Sequence, residues 1–148
     1  SADAEPEVQV GKAEVCREGD DATILAYGMM TGRALEAARI LAEEDGLEVG
    51  VINARFACPL DREAILDAVR ESPAVVVAED HCVAGGFGSA VLELLAEEGV
   101  PGGRVHLAGV PRRFIRHAPR EVQLSWCELD AEGLAERVRR ALLSTEGG

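Results

Sequence analysis

The sequence predicts an α/β fold, a three-layer sandwich with a mostly parallel central sheet. Three observations carry that class. Short apolar runs alternate with amphipathic stretches of helical length along the chain. Parallel strands joined by helices need crossover connections, and these place helices on both faces of the sheet. One run, AVVVAED at residues 74–80, is apolar almost throughout, as a strand covered on both faces should be. Finally, 47% of the residues are hydrophobic but only 3% aromatic, so the core is built from Ala, Val, Leu and Ile.

The elements follow in order. Residues 13–17 read as a short edge strand and ATILAY, residues 22–27, as a buried one. A helix over residues 33–45 turns Ala34, Leu35, Ala38, Leu41 and Ala42 inward. Thr31 is its expected N-cap and Gly46 the residue past its end. LEVGVIN (47–53) is the next strand, and DREAILDAVRES (61–72) a helix burying Ile65, Leu66 and Val69 before Pro73 stops it. After the strand at 74–80, a helix buries Phe87, Ala90, Val91, Leu94 and Leu95 and ends at Gly99. RVHLAGV (104–110) is the last strand, and Asp130 caps a final helix with Leu134, Val138 and Leu142 on one stripe.

A length of 148 residues is that of one domain. Residues 1–10 are polar and acidic without periodicity and read as a linker from a preceding domain. Residues 11–143 are the folded unit, and 144–148 a frayed tail.

Acids outnumber bases 27 to 15, for a net charge of −12. Such a chain repels polyanions, which argues against nucleic acid or an anionic membrane as partner. Neither a spanning apolar run nor a signal peptide is visible. Cys16, Cys58, Cys82 and Cys127 form no CxxC pair, so reduced cytoplasmic thiols are expected and not a zinc site or redox dithiol.

Chemistry-bearing residues concentrate at residues 78–95, AEDHCVAGGFGSAVLELL. The glycines do not make a dinucleotide fingerprint, because Val91 stands where a third spaced glycine belongs, and no Gly-Lys-Ser/Thr marks a phosphate loop. Gly85 and Gly86 then let the chain turn, and Gly88 lets the first helical turn approach a neighbouring backbone. The bare amides around Gly85, Gly86, Gly88 and Ser89 remain a candidate anion or docking loop, able to take a carboxylate from a neighbouring domain.

Glu79 and Asp80 read either as a general-base pair or as cap residues at a strand end. His81 and Cys82 are adjacent, so an extended chain points them apart and away from a catalytic pairing. His106, inside an apolar strand, reads as a satisfied core or edge histidine. Arg112, Arg113, Arg116 and Arg120, beside Phe114 and Ile115, form a basic island on an acidic chain and are the candidate interface. No residue is assigned as catalytic, cofactor-binding or metal-ligating.

In combination, several motifs are specific. GKAEVCREGDDATILAYG, NARF ahead of Pro-Leu-Asp, AGGFGSAV, and RFI-x-H followed by Arg-Glu occur in that order between about Gly11 and Leu143. In these motifs the chain resembles the C-terminal domain of the 1-deoxy-D-xylulose-5-phosphate synthases, in the transketolase group of thiamine diphosphate enzymes. It departs from the family's pattern at Cys58, at Asp80-His81-Cys82 and at Ala118-Pro119.

The resemblance implies a five-stranded mixed sheet of order 1-3-2-4-5, its short first strand antiparallel. It implies a non-catalytic packing domain of a dimeric transferase that condenses pyruvate with glyceraldehyde 3-phosphate. Thiamine diphosphate and Mg2+ would be held by the preceding domains and neither by this one. The implied partners are those domains and a second copy of the enzyme. Sister readings are the equivalent domain of a transketolase or of a 2-oxo acid dehydrogenase β chain, and, from the residues alone, a stand-alone module for a small ligand or anion.

Overall fold

A computed structural model gives the fold and describes residues 9–56, 59–82, 86–110, 119, 121 and 129–146. Among the described residues the elements are β1 (Glu14–Arg17), β2 (Ala22–Ala26), α1 (Met30–Asp45), β3 (Val49–Asn53), α2 (Arg62–Glu71), β4 (Val75–Cys82), α3 (Phe87–Glu97), β5 (Val105–Val110) and α4 (Ala131–Glu146). The strands form one sheet in the order β1-β3-β2-β4-β5. Only β1 runs antiparallel, against β3; the other pairs are parallel. The expected class, strand order and direction all hold.

Strand alternation sorts the core into two layers. Ile24, Val51, Val76 and Ala78 point to the side covered by α1 and α4. Leu25, Val75 and Val77 point to the side covered by α2 and α3. Both faces of β2 and β4 are therefore buried, which accounts for their unbroken apolar runs. Each such Val, Leu or Ile contributes about 1.5–3 kcal/mol through burial.

The helices differ from the sequence reading at several points. First, α1 starts at Met30, so Thr31 lies inside its first turn; the N-cap is Met29, which makes no side-chain cap bond. Burial of Met30 against the core extends the helix past the residue best suited to begin it.

The inward stripe of α1 is Met30, Ala34, Ala37, Ala38 and Leu41, while Leu35 is 37% exposed. At about 100° per residue, Ala37 shares a face with Ala34 and Ala38, and Leu35 does not. These small side chains lie in one cluster with Ala135 and Ala141 of α4. Gly46 ends the helix as expected, with φ 66°, and Leu47 N–H returns to the Leu41 carbonyl at 3.1 Å.

Second, α3 leaves Ala90 half-buried; its inward residues are Phe87, Gly88, Val91, Leu94 and Leu95. Third, α4 continues to Glu146, so residues 144–146, read as tail, belong to the helix. Leu142 packs against the core in this last stretch, and the Thr145 hydroxyl donates to its carbonyl at 2.8 Å. Asp130 caps α4 as expected, accepting from Gly133 N–H at 2.8 Å.

Ion pairs fix the layers at the surface. Arg139 of α4 donates from Nε and Nη2 to the two carboxylate oxygens of Asp45 at 2.9 and 2.8 Å, and also to Glu44 at 2.9 Å. No helix among the described residues is long and apolar enough to cross a membrane.

Candidate functional site

The order β1-β3-β2-β4-β5 reverses direction of growth between β3 and β4, so the carboxyl ends of β2 and β4 flank a crevice. Open α/β sheets take ligands at such a point. Here the crevice is filled largely by the chain itself.

Glu79 is the central residue. It sits on β4, only 2% exposed. Its Oε2 accepts from Phe87 N–H and its Oε1 from Gly88 N–H, each at 2.7 Å. These are amides of the first turn of α3, whose N-cap, Gly86, has no side chain to satisfy them. A carboxylate there gains two charge-assisted bonds and the favourable field of the helix N-terminus. Of the two readings of Glu79, the structure gives the cap, supplied from the preceding strand and not from the helix's own leader.

This arrangement corrects one expectation about the glycine cluster and narrows another. The amides of Phe87 and Gly88 are not bare; an incoming carboxylate finds both donors taken. Nor does Gly88 make room for a backbone. A Cβ added there would lie 2.9 Å from Leu107 Cδ2 and 3.1 Å from Glu79 Oε1, so the close neighbours are side chains. Ser89 is half-buried within the first turn of α3.

Around Glu79 the crevice is closed by aromatic packing. The Tyr27 and Phe87 rings stack with centroids 5.1 Å apart and planes 19° from parallel. Tyr27 N–H also donates to the Ala78 carbonyl at 2.9 Å, tying the end of β2 to β4. Gly28 follows with φ 68°, and Met29 is left 67% exposed at the rim.

The NARF motif holds the next corner. Asn53 Oδ1 accepts from Arg55 N–H at 3.0 Å, and Phe56 N–H reaches the Ala54 carbonyl at 2.6 Å. Arg55 has φ 59°, a value costly for a side chain with a Cβ. Its guanidinium reaches Glu14 of β1 at 2.7 Å, so the strained turn links β3 to the edge strand.

Arg33, near the start of α1, grips Glu121 with two parallel bonds of 3.2 and 2.8 Å. That hydrogen bond, with the nearby charges of Glu121, Asp130 and Asp80, holds the guanidinium above its ordinary range.

Some expected residues are not brought to this rim. His106 sits on the outer strand β5 and faces the α4 side; among the described residues nothing bonds its buried Nε2, so they do not supply the satisfied histidine anticipated. The strand β4 extends through residues 81 and 82, with irregular pairing to β5 after Ala78. Gly85, Arg112, Arg113, Phe114, Arg116 and Arg120 lie outside the described residues. Among the described residues no three His, Cys, Asp or Glu side chains gather as a metal site. The sequence reading missed the aromatic stack and the turn at Arg55. An Asn two residues before a positive-φ position is the signal that would have found the turn.

Comparison with known proteins agrees with this architecture. The chain is 47% identical over 141 residues to 1-deoxy-D-xylulose-5-phosphate synthase 1 of Geobacter sulfurreducens, covering 95% of this chain and 22% of that protein. It is 44% identical over 142 residues to the 1-deoxy-D-xylulose-5-phosphate synthase of Synechococcus sp. (strain JA-3-3Ab), covering 95% of this chain and 21% of the relative. The chain thus spans about a fifth of the length of these relatives. A solved structure described as "Split gene transketolase, inactive beta4 tetramer" superposes with a TM-score of 0.83 at 38% identity, covering 95% of this chain and 45% of that one. The family model "Transketolase, C-terminal domain" matches residues 11–134. With that sheet order and that match over most of its length, the chain belongs to the transketolase C-terminal domain family.

Proposed function

We propose that this chain is the C-terminal, non-catalytic packing domain of a thiamine diphosphate-dependent 1-deoxy-D-xylulose-5-phosphate synthase. The whole enzyme would condense pyruvate with glyceraldehyde 3-phosphate, releasing carbon dioxide, in the supply of isoprenoid and thiamine precursors. The observation that carries the non-catalytic reading is the Glu79 carboxylate on the amides of Phe87 and Gly88. The identity to synthases over 95% of the chain supports the choice of enzyme.

The rim does not fit a diphosphate. The amide pair at the start of α3 already holds a buried anion, and a second would meet its charge at close range. On this reading thiamine diphosphate and Mg2+ belong to the preceding domains, and no step of the reaction runs through the rim. What the rim offers is a packed face with Met29 exposed upon it. The partners are the preceding domains and a homodimer mate, with neither nucleic acid nor membrane involved, in the cytoplasm.

Calorimetric titration of thiamine diphosphate with Mg2+ into the isolated chain should show no binding, and synthase activity should require the preceding domains. Micromolar binding to these residues alone would overturn the reading. The basic island is tested separately: Phe114→Ser with Arg116→Ser should leave the domain folded and weaken assembly of the full enzyme. A double variant that sediments as an unaltered, active dimer would remove the island from the interface.

A second reading has one specific support. The structure at 38% identity is described as a split-gene transketolase, so a transketolase-type reaction is the next choice. Adding the chain to preceding domains and comparing pyruvate with ketose phosphate donors separates the two.

A further inference from the structure

The outer strand β5 and the last two turns of α4 enclose a groove of about 620 Å³ at the sheet edge opposite β1. Among the described residues its polar lining is His106 from β5 and Arg137, Arg140 and Ser144 from α4, with neither Asp nor Glu. On a chain of net charge −12 that composition is unusual.

The placement follows from two periodicities. Arg137, Arg140, Ala141 and Ser144 recur at i, i+3, i+4 and i+7, one face of a helix. His106 alternates with Leu107, so it points to the α4 side while Leu107 packs with the other core layer. Among the described residues the buried His106 Nε2 has no hydrogen-bond partner, a condition that calls for a ligand or a solvent partner.

We propose that this groove is an oxyanion site for a phosphate group, bound by the guanidinium forks of Arg137 and Arg140, the Ser144 hydroxyl and His106 Nε2–H. Each arginine has five donors in fork geometry, so contacts made elsewhere do not exhaust it. Ala108 and Ala141, also in the lining, have small side chains that occupy little of it. The groove lies on the α4 side of the sheet, opposite the α3 side that Glu79 caps, and does not depend on the enzyme assignment.

The test titrates inorganic phosphate into the 148-residue chain at constant ionic strength, with chloride as the replaced anion. Nitrogen resonances of the His106 ring and arginine Nε–H groups are read by NMR. The expected result is saturable binding that moves the His106 ring signals. Arg140→Gln, at an exposed position, should weaken it about tenfold, as expected for loss of a charged hydrogen bond. Ser144→Ala, the second variant, should weaken it less, and Arg62→Gln should have no effect. Glycerol 3-phosphate run in parallel separates a phosphomonoester site from one for free phosphate, according to which binds more tightly. A titration that never saturates, that chloride reproduces, or that Arg140→Gln leaves unchanged overturns the proposal. The arginines would then serve only to offset the carbonyl end of α4.

Discussion

Glu79 and Phe87 are eight residues apart in sequence, yet a carboxylate oxygen of one lies 2.7 Å from the amide nitrogen of the other, in the buried interior. The bond makes β4 the anchor of the helix that follows it. Glu79→Ala removes the acceptor for two buried amides at once and should destabilise the domain by about 3 kcal/mol. Glu79→Gln keeps one acceptor oxygen and turns an NH2 toward the other amide, so it should fall between parent and alanine. Urea unfolding of the three proteins measures the order.

Gly88 and Gly32 should respond oppositely to a side chain. A Cβ at Gly88 meets Leu107 and Glu79 within about van der Waals contact or closer, so Gly88→Val should cost about 2 kcal/mol through crowding. Gly32, in the first turn of α1, has nothing within 4 Å of such a Cβ. Gly32→Ala should stabilise by about 0.5 kcal/mol, by restricting the unfolded chain. Thermal melts of the two variants should move in opposite directions.

The strained turn at Arg55 depends on the Asn53 side chain. Asn53→Ala deletes the acceptor for Arg55 N–H and should cost about 1 kcal/mol. Faster hydrogen exchange should appear in β1 and the end of β3, because Arg55 joins them through Glu14. Exchange unchanged in β1 would show that the turn does not hold the edge strand.

The link between α1 and α4 should depend on pH. Asp45 is held below the usual carboxylate range by its hydrogen bonds to Arg139, with a smaller Coulombic contribution from the same group. Its folded value lies below its unfolded one. The stabilisation is therefore complete above about pH 4, the ordinary value for an aspartate, and is lost as pH falls through the depressed folded value. Asp45→Asn should narrow the gap in urea midpoint from the parent as pH drops from 7 toward 3. The effect should also weaken in high salt, since the pair is at the surface.

Much of the fold is legible because local pattern and burial agree. The valines of β4 have no polar alternate, so they announce a strand covered on both faces. Asp130 and Gly46 carry their roles in their own chemistry, one as an acceptor for helix amides and the other in a left-handed turn. The start of α1 is different: Thr31 has the better capping side chain, but the burial of Met30 decides, and that contact is tertiary. The site was less legible for the same reason. Nothing local to Glu79 says that its partners are the amides of residues 87 and 88. Likewise His106 shares a groove with Arg137 and Arg140 only because β5 lies beside α4.

Because Glu79 positions the first turn of α3 directly, through two bonds from β4, the register of that helix does not rest on the covalent connection alone. Strand and helix are held together by two bonds that bypass the connection, so its length can change while the helix stays in register with the sheet. Extra residues there would pay chiefly the slowly growing entropy of a longer closed loop, on the order of 0.6 kcal/mol per doubling. That makes the junction a suitable place to graft a foreign peptide, with the buried carboxylate acting as the clasp that keeps the scaffold shut behind it.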